Sequence, residues 1–355
     1  MLDEAVAAAG PSASMATSSP HFWSGDVRNH HPPLISYVIL SEFNIDTGST
    51  VKHQYPEPIA DYTADWFAEN MLPEGAHNRD SDYTVMFLNR KAPHVDEAYW
   101  LNPLQEQPTT ATTNFLYGLN LVRTKHDVSV RRGAVVKAMA VFSCFQWIEV
   151  LKPVLEQSLE RYFANPSIDV LAELFSSLNA IDLTTMPRPT TLEQIIMRRN
   201  TPFSSLGSIS GEQPQPPMWT HLLPLTLAAG RERGGEAADA AAPSIKFTLT
   251  VPLHLSPDEV GDISLTRLVK TFGDATMRIF HAVLRRQRIL FVGYSHSALD
   301  LAQFVLSTVA MVAPALPNVI RRTYPYANLT DLSFLEVGLL LFTTITLSYM
   351  PYFPR

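Results

Sequence analysis

Between Leu183 and Ser244 the chain carries eight prolines, the cluster Gln213-Pro214-Gln215-Pro216-Pro217 and the Gly/Ala/acidic tract Ala228–Ala242. Such a stretch offers too little apolar surface to offset the entropy of ordering it, so no single continuous sheet or bundle is expected to run through the chain. Regular hydrophobic periodicity lies on either side. At about 150 residues per domain, the 355 residues fit two lobes and their linkers. The expected order is a disordered Ala/Ser/Pro- and His/Pro-rich arm over 1–33, a first lobe over 34–165, and a helix joining the lobes over 166–182. A disordered insertion over 183–245, a second lobe over 246–336 and an apolar tail over 337–355 follow.

In the first lobe, Ile35–Ile45 is mostly apolar. Val51, His53 and Tyr55 alternate after the turn-forming Asp46-Thr47-Gly48-Ser49, which predicts a hairpin. Tyr62, Trp66, Phe67 and Met71 predict an amphipathic helix over Asp61–Met71, closed by Pro73 and Gly75. A short strand is expected over Val85–Leu88, a long excursion over Asn89–Thr113, and a strand through Phe115, Tyr117, Leu119 and Leu121. Val135–Phe145 is almost continuously apolar, as a strand buried on both faces requires. Leucines and aromatics then predict helices from Trp147 to Tyr162, where Pro153 either starts the helix in its first turn or kinks it, and over Ile168–Ile181. Beyond the insertion, a strand over Phe247–Leu253 precedes helices at about Ile263–Phe272 and Asp274–Gln287, a strand at Arg288–Val292 and a helix at Ala298–Val312. The expected class is α+β in the first lobe and α/β in the second.

The charge balance, 27 basic against 34 acidic residues for a net −7, argues against nucleic-acid binding, which needs clustered Lys and Arg. Cys144 is the single cysteine, which leaves no disulfide framework and reads as intracellular; its apolar neighbours predict a core side chain. Asp3 and Glu4 stand where a secretory signal would be basic. Leu299–Leu316 and Val337–Phe353 are apolar enough to raise a membrane-inserted reading, yet both fall short of about 20 apolar residues. Leu339–Met350, uncharged and rich in Leu and Thr, is expected to be an aggregation-prone liability where nothing covers it.

Gly293-Tyr294-Ser295-His296-Ser297 superficially matches the nucleophile elbow of α/β hydrolases, with Ser295 as nucleophile. Ser297 replaces the last glycine of that motif, and no histidine follows His296, so the esterase alternative lacks its base. A helix cap by Ser295 or Ser297 is the simpler reading. Neither phosphate-cradling glycine loop occurs, and the adjacent pair His30-His31 lacks metal-ligand spacing; no cofactor, metal or covalent catalytic residue is expected. Two polar constellations remain. Leu72–Tyr83 offers His77, Asn78 and Arg79 in a turn-rich loop, and Tyr324–Leu332 offers Tyr324, Tyr326, Asn328 and Asp331. Turn chemistry alone explains the first equally well, and for the second, partly buried core tyrosines are as consistent as the amphipathic tyrosines enriched at interfaces; these seven are the partner-binding candidates.

Ile35-Ser36-Tyr37-Val38-Ile39-Leu40-Ser41-Glu42-Phe43, His53-Gln54-Tyr55-Pro56, Leu72-Pro73-Glu74-Gly75-Ala76-His77-Asn78 and Tyr83-Thr84-Val85-Met86-Phe87-Leu88-Asn89 together resemble the opening of DENN-domain proteins. The branch they are most similar to is the fungal Arf-GTPase-docking proteins described as stabilising the polarity axis, close to the AVL-type DENN proteins. Arg288–Gly293 and Tyr324–Leu329 resemble that family's central segment. The resemblance covers roughly 35–182 and 246–336, and ends at Glu336. It implies a two-lobed DENN module, with a longin-like N-terminal lobe and an α/β sandwich lobe, incomplete at the C-terminus. The implied partner is a small GTPase of the Rab or Arf class, met in vesicle traffic and polarised growth by a cytoplasmic protein peripheral to membranes or the cell cortex. Guanine-nucleotide exchange in such proteins works by stabilising the open GTPase through differential binding, and with the third part missing, docking is expected to outlast exchange.

Overall fold

The computed structural model describes residues 33–44, 46–73, 75–89, 115–126, 134–145, 147–187, 218–226, 244–252, 263–285, 287–294, 296–312, 319–328 and 342–347. The fold is mixed α+β. β1 (Tyr37–Asn44) and β2 (Gly48–Tyr55) form an antiparallel hairpin whose turn residue Gly48 has a φ of 75°, the left-handed region that glycine enters without steric cost. Helix α1 (Ala64–Met71) follows, started by Thr63, whose hydroxyl accepts the Trp66 amide at 3.1 Å. β3 (Ser81–Asn89), β4 (Phe115–His126) and β5 (Ala134–Ser143) then form an antiparallel meander, and β5 returns to pair with β1. The five-stranded order is β2-β1-β5-β4-β3.

Both faces of this sheet are covered, and the alternation along β1 shows how. Val38 and Leu40 pack in one cluster with α2 (Lys152–Ala164) and α3 (Ile168–Asn179), while Tyr37 and Ile39 pack in another with Phe67 and Met71 of α1. Pro153 occupies the first turn of α2, where its missing N–H is not needed. The helix over 166–182, expected as a connector, is α3. It lies beside α2, with Leu171, Leu174 and Leu178 in the same core as β1.

Gly118 on β4 sits between Met86 of β3 and Phe142 of β5. A Cβ there would stand 2.5 Å from the Phe142 ring and 3.1 Å from the Met86 carbonyl oxygen. That ring is fully buried and meets Phe67 of α1 edge-on, with centroids 5.7 Å apart. The glycine therefore makes room for the contact that ties α1 to the sheet. Gly118→Ala is expected to destabilise the protein by about 2 kcal/mol through overpacking, read as a lower urea midpoint at unchanged slope; an unaltered midpoint would mean that the ring moves aside freely.

The remaining elements are β6 (Met218–Thr226) and β7 (Ser244–Pro252), an antiparallel ribbon, then α4 (Leu265–Phe272), α5 (Ala275–Leu284), β8 (Ile289–Tyr294), α6 (Ala298–Val312), β9 (Thr323–Ala327) and β10 (Phe342–Leu347). β8, β10 and β9 form a parallel sheet in that order. Leu268, Val283, Phe291, Leu301, Phe304 and Val305 share one core cluster there. α6 and β9 also lie against β3, the edge strand of the first sheet.

Three sequence expectations need correction. The stretch 183–245 was expected to be disordered throughout, but β6 lies within it, and Trp219 and Leu223 are buried in the main core beside Leu249 and Val251 of β7. Pro224 obscured the alternation of Trp219, His221 and Leu223; in a two-stranded ribbon both strands are edges, where proline is tolerated. The apolar tail 337–355 contains β10, the middle strand of the parallel sheet, so its lack of charge reflects a central position and not a loose end. β3 begins at Ser81, four residues before the expected Val85. As for the membrane reading, α6 has 15 residues, about 22 Å at the usual rise, and among the described residues no helix is long and apolar enough to cross a membrane.

Candidate functional site

Leu72 and Pro73 end α1, and Gly75 turns the chain with a φ of 75° into a single 3₁₀ turn at Ala76–Asn78. Thr124 of β4 holds this loop twice: its hydroxyl donates to the Ala76 carbonyl at 3.0 Å and its amide donates to the Asp80 carbonyl at 2.9 Å. The loop is fixed, yet His77 and Asn78 are exposed at its tip. Arg79 is directed elsewhere. Its guanidinium lies 3.3 Å from the Asp82 carboxylate.

Asp82 is the residue that sequence reasoning missed. Only 8% exposed, its carboxylate accepts the Ala298 amide at 2.8 Å and the Leu299 amide at 3.4 Å, capping α6 from 216 residues upstream. Ser297 accepts the next amide, Asp300, at 2.9 Å, and the Leu301 amide reaches the Ser297 carbonyl. Every orphan N–H of the first turn therefore has an acceptor. The cap expected of Ser297 is present, while Ser295 lies outside the described residues. Gly293 serves packing: a Cβ there would stand 2.6 Å from Leu301, so the glycine lets α6 approach β8. Burial alone would raise the Asp300 carboxyl, but hydrogen bonds from Arg267 and Ser297, with the Arg267 and His296 charges, hold it below the usual carboxylate range.

The second constellation is turned inward. Tyr326 is 5% exposed and Asn328 is buried, while Tyr324 is half-buried; Asp331 lies outside the described residues. Tyr326 is thus a core side chain, and a surface-anchor role for it does not fit. Asn328, just past β9, donates to the Glu69 carbonyl of α1 at 3.0 Å. Beside it opens a cavity of about 660 Å³, walled by Phe43, Leu72, Pro73, Ala76 and Val136. His77, His126 and Asn328 add polar groups. The cavity joins His77 of one predicted constellation to Asn328 of the other; Asn78, Arg79, Tyr324 and Tyr326 do not line it. Phe43 and Val136 carried no site signal, since an apolar residue near a strand end reads as core until its neighbours are known.

No group of three His, Cys, Asp or Glu among the described residues could hold a metal ion. Cys144 lies one residue past β5 and is half-buried, a step outside the expected strand core. Burial pushes its thiol up to about 11, which disfavours the reactive thiolate. Burial also raises the Tyr83 phenol, assisted by its hydrogen bond to Glu156. The arrangement offers an apolar recess with polar edges.

Two family models and a relative match this chain. The family model described as the docking domain of Afi1 for Arf3 in vesicle trafficking matches residues 37–102, and the one described as stabilization of polarity axis matches residues 262–346. An AFI1-like protein of Schizosaccharomyces pombe is 26% identical over 335 residues, covering 85% of this chain and 54% of its own length. The chain thus spans about half the length of that relative. These matches support the Arf-docking and polarity-axis branch of the resemblance. They also carry it past Glu336, where the sequence comparison had ended it, to residue 346, which takes in most of β10.

Proposed function

We propose that this chain docks a small GTPase of the Arf class, in vesicle traffic and polarised growth, as a DENN-type module whose five-stranded sheet with α1, α2 and α3 is the longin-like part. The supporting observation is where the two matched segments meet. Phe43, Leu72, Ala76 and His77 come from the segment similar to an Arf3-docking domain, Asn328 comes from the segment similar to the polarity-axis family, and all five line one cavity. A GTPase seated at its rim would touch both segments, with exposed Phe43 as an aromatic anchor. The protein then works at vesicle membranes or the cell cortex as a peripheral component. Docking requires only complementary surface, whereas exchange requires contacts that favour the nucleotide-free GTPase over the loaded one.

Binding of the immobilised chain to Arf- and Rab-class GTPases, each loaded with GDP, loaded with a GTP analogue or nucleotide-free, tests this. Arf-class retention is expected, weakened about tenfold or more by Phe43→Ser, with nucleotide release left near its intrinsic rate. Retention of Rabs alone would change the class. Failure to retain any member of the panel would remove the docking reading, and strong acceleration of nucleotide release would make the chain an exchange factor.

A further inference from the structure

The outer surface of α5 combines two features for which the folded interior has no use. Met277 and Leu284, seven residues apart and therefore on one helical face, are 56% and 43% exposed. Arg278, His281 and Arg285 form the adjoining exposed stripe, while Thr276, Ile279, Phe280 and Val283 turn toward the core. From Ala275 to Leu299 the sequence contains no Asp or Glu, although it carries Arg278, Arg285, Arg286 and Arg288 and the chain as a whole has a net charge of −7. The ion pair between α4 and α6 uses Arg267 and Asp300 and leaves the α5 arginines out of it. This is a local reversal of the protein's overall sign, interleaved with large apolar side chains.

We propose that this face of α5 seats the protein on a bilayer surface carrying anionic headgroups. The reading goes beyond GTPase docking, which does not say which face meets a membrane. Long cationic side chains hold their charges at the headgroup level while neighbouring apolar side chains reach the acyl boundary, and the two stripes of α5 supply both. An acidic protein surface would answer the arginines but would need matching recesses for Met277 and Leu284. Each basic residue near an anionic surface strengthens binding by roughly fivefold, so a ten-residue helix with two well-placed arginines gives weak, salt-sensitive association.

Co-sedimentation of the whole chain with vesicles tests the proposal, using phosphatidylcholine alone and phosphatidylcholine with about one third phosphatidylserine. Binding is expected only with phosphatidylserine and should fall as salt rises. Arg278→Glu with Arg285→Glu should reduce it by at least ~20-fold, and Met277→Ser with Leu284→Ser should reduce it as well, each variant keeping the wild-type unfolding curve. Arf-class binding in solution, measured on the same variants, should be unchanged, which separates this proposal from the docking reading. Equal sedimentation of wild type and the double glutamate variant would overturn it. So would a wild type that ignores both vesicles, including one that instead binds an acidic protein through Arg278 and Arg285.

Discussion

A chain truncated after Glu336 is expected to lose the fold of everything from α4 onward. Phe342–Leu347 pairs with Ile289–Tyr294 on one side and with Thr323–Ala327 on the other, so without β10 the strands β8 and β9 have no ladder in common. Parallel neighbours cannot be joined by a tight hairpin, and nothing local would hold the two strands in place. α6 packs on all three strands and would lose the surface against which Leu301, Val305 and Val309 are buried. Hydrogen exchange is the direct measure. Amides of β8 and of the middle of α6 should lose about three orders of magnitude of protection, while the centre of β5, paired on both sides within the first sheet, stays among the slowest to exchange. Near-native protection in β8 of the truncated chain would show that β10 is dispensable.

Asp82→Ala carries the second large expectation, a loss of about 3 kcal/mol. The substitution leaves the Ala298 and Leu299 amides without the Asp82 acceptor and removes one ion-pair contact of the Arg79 guanidinium. A helix cap alone is worth about 1 kcal/mol, and each buried donor left unsatisfied adds roughly 1–3 kcal/mol. The carboxylate also faces the positive end of the α6 dipole. Asp82→Asn keeps an acceptor without the charge and should recover about half of the loss. Urea unfolding with an unchanged slope gives the comparison. A loss below ~1 kcal/mol for the alanine variant would mean that water replaces the carboxylate at the helix end.

Elements whose neighbours are close in sequence were legible. α6 spans Ala298–Val312 as its periodicity predicts, and the alternation of Phe115, Tyr117, Leu119 and Leu121 marks β4, each of them buried. What was hidden depends on distant partners. Ser81–Tyr83 reads as loop because Asp82 is polar, yet its polarity serves a helix 216 residues away. β10 reads as a sticky tail because only the completed sheet shows that both of its edges are occupied. For the candidate site, the sequence supplied the loop carrying His77 and the segment carrying Asn328. It also nominated Tyr326, which is buried on β9, a strand packed against α6, β10 and β3, an arrangement with no one-dimensional signal.

The chain order of the parallel sheet imposes a schedule on synthesis. β8 and β9 leave the ribosome before the strand that must lie between them, so both wait with open edges until Phe342–Leu347 is made and inserts. The first sheet has no such delay, since β1 through β5 are finished by Ser143 and close on one another. Unpaired edges in a part-made chain are the sites at which nascent proteins misassociate. The Asp82 carboxylate stands ready in the finished sheet, but α6 settles onto it only when β10 completes the surface on which that helix is buried, so the early sheet waits as a template for the late one.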